Sequence, residues 1–382
     1  MNWERELQRS ATGIEHILPY LNVDRRVFKQ LQHIVEIHPM RIPRYYLSLI
    51  DWDDPQDPLR RMAVPDVDEL DLSGSYDTSG EADNTKMPGL QHKYPQTALI
   101  LTTNRCSMYC RHCFRKRLVG LPTNEVMRRF GEAAKYIEEH PEITNVLLSG
   151  GDPLVLKTSL IEAFLARLSK IPSLEFIRIG SRVPVTFPDR ILTDDDLVTT
   201  LRKYSRKVKQ LYLVTQFNHP REITEKSTQA VSRLLDAGLV VLNQAILLKS
   251  VNDDPRVMAD LQTRLTGIGV SPYYVFQCRP VRRVKRHFQV PLKAGCAIID
   301  EAKKLLDGPS KRFRYVMSHR TGKIEIVGVM GNEIYLKYHQ ARDPNRVGKL
   351  FKRKLTPDAG WLDDLPHIPA VKVVHTRNLF WS

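Results

Sequence analysis

A chain of 382 residues with 42% hydrophobic and 26% charged residues can bury one large α/β core or two ordinary ones, and this mix excludes a disordered or fibrous protein. A formal charge of +15 fits either a nucleic-acid partner or a basic surface around an anion-binding pocket. Five cysteines, three of them within Cys106 to Cys113, argue against a disulfide framework and for a metal or redox role.

The opening MNWERELQRS lacks a basic stub followed by an apolar core, and no apolar run is long enough to span a bilayer. A reducing cytoplasm is therefore the expected setting, with no membrane partner. Residues 1–90 are expected to form an N-terminal helical region and linker. Helical patterns broken by prolines, such as VFKQLQHIVEIH before PMRIPRYYLSLI, run to about residue 63. The acidic, turn-rich stretch from Asp66 to Gly89 then reads as a loop.

A repeating order occupies residues 91–306. Six apolar, β-branched runs at 97–103, 145–150, 174–180, 210–217, 240–247 and 272–278 read as buried strands. Helical patterns accompany them at about 122–139, 156–170, 194–206, 222–237, 255–267 and 292–306. Such alternation predicts parallel βαβ units in an α/β fold, either a doubly wound sheet or a barrel. Glycine and polar residues gather at Gly150–Asp152, Gly180–Arg182, Gln216–His219 and Gln277–Arg279, which puts the chemistry at the carboxyl ends of the strands. Residues 307–382 change pattern: short strands and hairpins are expected outside the repeat, followed by an irregular, proline-rich tail from Leu355.

The first of the six strands runs into Cys106-Ser107-Met108-Tyr109-Cys110-Arg111-His112-Cys113. Three thiolates in one loop can wrap a soft metal centre, either an iron–sulfur cluster or a zinc completed by His112, Cys278 or Cys296. After the second strand, Gly150 and Gly151 allow a ligand close to the backbone, and Asp152 can accept hydrogen bonds. The basic runs RHCFRKR and RPVRRVKRHF lack regularly interleaved aromatic residues, so nucleic acid is not the expected partner.

The CX3CX2C spacing, with an aromatic residue before the second cysteine, resembles the cluster loop of radical S-adenosylmethionine (SAM) enzymes. Six stretches in one order, CSMYCRHC (106–113), SGGDPL (149–154), IRIGSRVPV (177–185), FNHPREITEKST (217–228), NQAILLKSVND (243–253) and PYYVFQC (272–278), are similar to the lysine 2,3-aminomutase family across about residues 90 to 330. The resemblance implies a partial (β/α)6 TIM-type barrel with an N-terminal helical segment and a C-terminal extension. It implies a [4Fe-4S] cluster on Cys106, Cys110 and Cys113, with the fourth iron left for SAM. It places SAM against Gly150, Gly151, Asp152, Gln216, Asn243 and Gln244, although Gln216 stands where the lysine enzyme has histidine. Pyridoxal 5′-phosphate (PLP) is implied on Lys323, within Thr321-Gly322-Lys323-Ile324, and the substrate carboxylate on Arg115.

The implied reaction starts when a radical derived from SAM takes hydrogen from the β-carbon of a PLP-bound α-amino acid. Migration of the nitrogen then gives a β-amino acid. Lysine-specific relatives grip the distal ammonium with two aspartates, and their positions here hold Arg279 and Val316. The implied small-molecule substrate is therefore an amino acid with an anionic, glutamate-like side chain. An external electron donor of flavodoxin or ferredoxin type and a homo-oligomeric state are also implied. Asp254 replaces the first cysteine of the family's intersubunit zinc site and no cysteine follows Cys296, so a structural zinc is not expected. The rival readings are lysine 2,3-aminomutase proper, a radical SAM modifier of RNA or protein, and a non-catalytic iron–sulfur sensor.

Overall fold

Apolar alternation and helix caps in the sequence account for a single sheet of 12 strands, which pair in sequence order. The computed structural model describes residues 2–205 and 209–366; the end of the expected helix 194–206 and residues 367–382 of the expected tail lie outside them. Strands β1 (Thr85–Met87) and β2 (Leu90–Tyr94) run antiparallel into β3 (Thr97–Thr103). Parallel pairing then continues through β4 (Asn145–Gly150), β5 (Phe176–Gly180), β6 (Gln210–Thr215), β7 (Val240–Leu247) and β8 (Ser271–Gln277). These are the six expected strands, shortened by two residues at the start of β5 and the end of β6. Fully buried Ile100, Val146, Ile177, Leu211, Leu213 and Ala245 pack the sheet against Ile137, Leu165, Leu201, Val231 and Leu261 of the intervening helices.

Local chemistry sets the helix bounds. The helix Pro255–Gly267 matches its expected range because Asp254 accepts the amides of Arg256 and Val257, while Pro255 occupies the first turn. The helix expected at 122–139 begins only at Phe130. Residues before it lie along the sheet instead, where the Met127 amide bonds the Leu101 carbonyl at 2.7 Å.

Two expected boundaries fall inside continuous structure. β9 (Arg314–His319) pairs parallel with β8 after the helix Leu292–Lys304, so the expected break after residue 306 lies within a further βαβ unit. β10 (Gly322–Met330), β11 (Glu333–Ala341) and β12 (Leu350–Lys354) then extend the same sheet as antiparallel hairpins. The boundary at residue 90 likewise falls at the start of β2.

The acidic stretch after Asp66 is not a solvated linker. Glu69 is fully buried and accepts Arg111 through both carboxylate oxygens, at 2.7 Å and 2.6 Å, and also Lys116. Glu81 pairs with Arg115 at 3.0 Å and with Arg117 at 2.9 Å. The run RHCFRKR is thus a set of buried or half-buried cations matched by two carboxylates from the N-terminal region. Burial works against the charge of Glu69, yet Arg111 and Lys116 outweigh it and pull the carboxyl down to about 2. Removing one partner of such a pair leaves uncompensated charge in the interior. Glu69→Ala should therefore cost about 3–5 kcal/mol in urea unfolding. In the unsubstituted protein the Glu69 contribution should stand above about pH 4.3 and fade as the pH drops towards 2. A loss below 1 kcal/mol would show that the pair is not buried in solution.

Candidate active site

The carboxyl ends of the parallel strands open onto a cavity of about 370 Å³. Its wall includes Cys106, Cys110 and Cys113, the turn Gly150–Gly151–Asp152, Gln216, Gln244, Arg115, Arg279 and Lys323. Residues far apart in sequence thus meet on one surface. Asn243, expected beside SAM, does not line the cavity. Its amide bonds Phe217 from both sides, receiving that residue's N–H at 2.7 Å and donating to its carbonyl at 3.1 Å, which fixes the turn after β6.

The cysteine loop follows β3 directly. Its three thiols are free, and burial raises the pKa of Cys106 and Cys113, the latter to about 11. Mutual repulsion among the thiolates adds to that cost, so a cationic centre is what would stabilise them ionised. Among the described residues, the three-ligand set within 4.8 Å of one another is Asp66, Asp68 and His287, and the thiols are not part of it. Sulfurs about 2.3 Å from one zinc ion would lie closer together than that. Neither His112 nor Cys278, though both line the cavity, joins the thiols in such a set among the described residues, and Cys296 lies away from it. His112 is held neutral by burial beside Asn218, 3.3 Å away, and Cys296 packs in the hydrophobic core behind β9. The loop therefore fits a multinuclear cluster better than a single ion.

The glycines of the next turn are sterically required. A Cβ on Gly150 would lie 2.4 Å from the Thr103 carbonyl, and one on Gly151 would lie 2.3 Å from the Arg105 carbonyl. The turn is pressed against the cysteine loop, which suits a ligand shared between them. Asp152 spends its carboxylate on the amides of Leu154 at 3.0 Å and Arg182 at 2.8 Å, so it orders the turn.

On the opposite wall, Lys323 sits on β10 with its ammonium 4.2 Å from the centre of the Tyr274 ring and 5.6 Å from that of Phe276. Burial, followed by Arg178, Arg279 and Lys93, brings its pKa down to about 7. A neutral amine near physiological pH is what imine formation requires. Gly322 has to be small because a Cβ there would lie 2.2 Å from the Gln340 carbonyl. The cavity charge is lopsided: its wall holds Arg115, Arg178, Arg182 and Arg279, together with Lys323 and Lys93, whose pKa values burial brings down to about 7, against Glu81 and Asp152. Arg178 Nε is buried without a partner among the described residues, and Lys93 donates only to the Ser79 and His319 carbonyls. Such a wall calls for anionic ligands.

A family model described as the Radical SAM superfamily matches residues 100–261. A protein of Aquifex aeolicus described as "Putative L-lysine 2,3-aminomutase" is 43% identical over 90% of this chain and 91% of its own. The L-lysine 2,3-aminomutase of Clostridium subterminale is 40% identical over 78% of this chain and 71% of its own. The glutamate 2,3-aminomutase of Clostridioides difficile is 35% identical over 78% of this chain and 70% of its own. The chain belongs to the lysine 2,3-aminomutase family of radical SAM enzymes. It is an isomerase of the aminomutase type, with a [4Fe-4S] cluster, SAM and PLP as cofactors. No described helix is long and apolar enough to cross a membrane.

Lys93, Arg178, Glu81 and Arg182 are cavity residues that the sequence reading gave no role. Arg182 carried a signal as part of the polar Gly180–Arg182 turn at a strand's carboxyl end, and Arg178 carried one as a cation inside the apolar run IRIG of β5. Capture of PLP by Lys323 should titrate with the free amine: present above about pH 7 and falling away below it, rather than near the usual lysine value of about 10.4. Borohydride trapping at graded pH with peptide mapping checks this. A pyridoxyl group on another lysine, or a midpoint above about 9, would contradict the assignment.

Proposed function

We propose that this protein is a 2,3-aminomutase whose substrate is an α-amino acid with an anionic side chain, of the glutamate class. The observation that carries the reading is Arg279. Its guanidinium lies 4.2 Å over the Phe114 ring and makes no side-chain hydrogen bond or ion pair among the described residues. Burial lowers its pKa to about 10, and Glu81, the acid that most offsets this, is already engaged by Arg115 and Arg117. A cation at the end of β8 without an acid of its own is suited to take a ligand carboxylate.

Arg282 and Arg283 do not assist, since one faces Tyr76 and the other donates to the Glu69 carbonyl. Val316, at the second distinguishing position, is fully buried off the cavity and adds no selectivity. The case therefore rests on Arg279, with support from the cationic excess of the wall. Proteins described as lysine 2,3-aminomutases, at 36–43% identity, and a glutamate 2,3-aminomutase, at 35%, both occur among the relatives.

In this reading Cys106, Cys110 and Cys113 hold the cluster, Gly150, Gly151, Gln216 and Gln244 border SAM, and Asn243 acts from behind by fixing Phe217. Bound together, these cofactors supply a carbon-centred radical and an imine across which nitrogen can migrate. Lys323 presents a neutral amine, Arg178 supplies positive charge for a phosphate, and Lys93, whose pKa burial lowers to about 7, offers it a further N–H donor. Arg115, held by Glu81 and 3.0 Å from Ser149 Oγ, is placed for the α-carboxylate, with Arg279 for the distal one. Tyr274 and Phe276 keep water from the amine. We further infer a homo-oligomer, and a flavodoxin- or ferredoxin-type donor for the reducing electron. The domain division at about residues 90 and 306 is retained only as a division of labour.

Cys106→Ala, Cys110→Ala and Cys113→Ala should each abolish bound iron and SAM cleavage, while Cys278→Ala and Cys296→Ala should spare both. A dispensable loop cysteine, seen in iron analysis, would sink the cluster assignment. A lysine ammonium about 4 Å from Arg279 would meet roughly 4 kcal/mol of repulsion at an effective dielectric near 20, a factor of about a thousand. Glutamate should therefore be favoured over lysine in kcat/KM by about that factor, and Arg279→Asp should reverse most of it. Efficient lysine turnover that Arg279→Asp leaves unchanged would rule the substrate reading out.

A further inference from the structure

Arg182 follows β5 and is buried, at 8% exposure. Its Nη1 donates to Cys110 Sγ at 2.8 Å, and its Nε donates to the Gln216 carbonyl at 2.9 Å. Nη2 bonds the carboxylate of Glu222, a residue with no exposed surface. Glu222 is itself fixed, receiving the Tyr46 hydroxyl at 2.7 Å and the amides of Asn218 at 2.7 Å and His219 at 3.2 Å. The Arg182 amide is tied to Asp152 at 2.8 Å. Nη2 also faces Met62 Sδ at 3.9 Å, so Nε and Nη2 are engaged by the protein while Nη1 is turned to the Cys110 sulfur.

A cationic donor on a cluster sulfur withdraws electron density and stabilises the reduced, more negative cluster, which raises the reduction potential. A carboxylate beside the same guanidinium offsets part of that effect. We propose that Arg182 is a positioning residue that sets the reduction potential of the cluster held at Cys110, with Glu222 fixing its guanidinium on the sulfur and tempering its charge. The inference rests on the reading of Cys110 as a cluster ligand. The step concerned is one-electron reduction: a low-potential one-electron donor, dithionite in the assay, is oxidised, and the cluster gains one negative charge without a bond breaking.

The test uses the full chain, anaerobically reconstituted, as unsubstituted protein and as Arg182→Lys, Arg182→Gln and Glu222→Gln. Iron and sulfide content are measured first, followed by potentiometric titration monitored by electron paramagnetic resonance without SAM. Arg182→Gln should lower the ratio of reduced to oxidised cluster at fixed solution potential about tenfold, equivalent to 59 mV for a one-electron couple. Arg182→Lys, which keeps the charge, should recover at least half of that shift on a logarithmic scale. Glu222→Gln should move the ratio the opposite way, a sign that general loosening of the fold would not produce. Unchanged potentials in variants that retain full iron would overturn the inference and leave the cluster reading intact. A cluster that survives Cys110→Ala would overturn it through the cluster reading. If Arg182→Gln does not retain iron, Glu222→Gln decides: a rise supports the inference, and no change or a fall overturns it.

Discussion

The interaction on which the rest of the structure depends is the buried pairing between the acidic N-terminal segment and the basic cysteine loop. Arg111, Arg115, Lys116 and Arg117 lie within seven positions of one another and would repel if left alone in the interior. Glu69 and Glu81 offset that cost: Glu69 clamps Arg111 and Lys116, and Glu81 clamps Arg115 and Arg117. Cys110 and Cys113 are carried on the clamped segment, so the thiols inherit its rigidity. The N-terminal helices are therefore part of the site's scaffold, and their own core reaches Met108, Cys278 and Phe288 around the same loop.

A second constraint follows from the remaining charge. With four arginines, Arg115, Arg178, Arg182 and Arg279, against two carboxylates on its wall, the cavity disfavours one more positive charge and favours anions. The same excess serves two ends. It adds, through Arg178, Arg279 and Lys93, to the burial that chiefly holds Lys323 near neutrality, and it provides places for a phosphate and for carboxylates. A lysine substrate would bring another cation into this field, whereas a dicarboxylate would relieve it.

Much of this was legible in the sequence because the fold's periodicity and the cysteine spacing are local signals. The six strands were placed to within two residues, and the helix after Asp254 exactly as capped, since propensity, caps and burial agree there. Long-range pairing was not legible. Nothing local distinguishes Glu69 and Glu81 from the exposed acids of a turn-rich linker, and only the fold brings Lys93 and Arg178 towards Lys323. The parallel pairing of β9 was missed because its sequence resembles the hairpins that follow it. Asn243 was given a ligand role by the family resemblance, but the amide is satisfied by backbone at Phe217.

The central claim is that an aminomutase site of this charge acts on an anionic amino acid. The most direct measurement supplies reconstituted protein with SAM, PLP, a reductant and equal amounts of glutamate and lysine, each deuterated at its β-carbon, and follows the label by mass spectrometry. The account predicts β-glutamate as the dominant product, with deuterium from glutamate appearing at the 5′-carbon of the deoxyadenosyl group. β-Lysine in excess, with the label drawn from lysine, would contradict it.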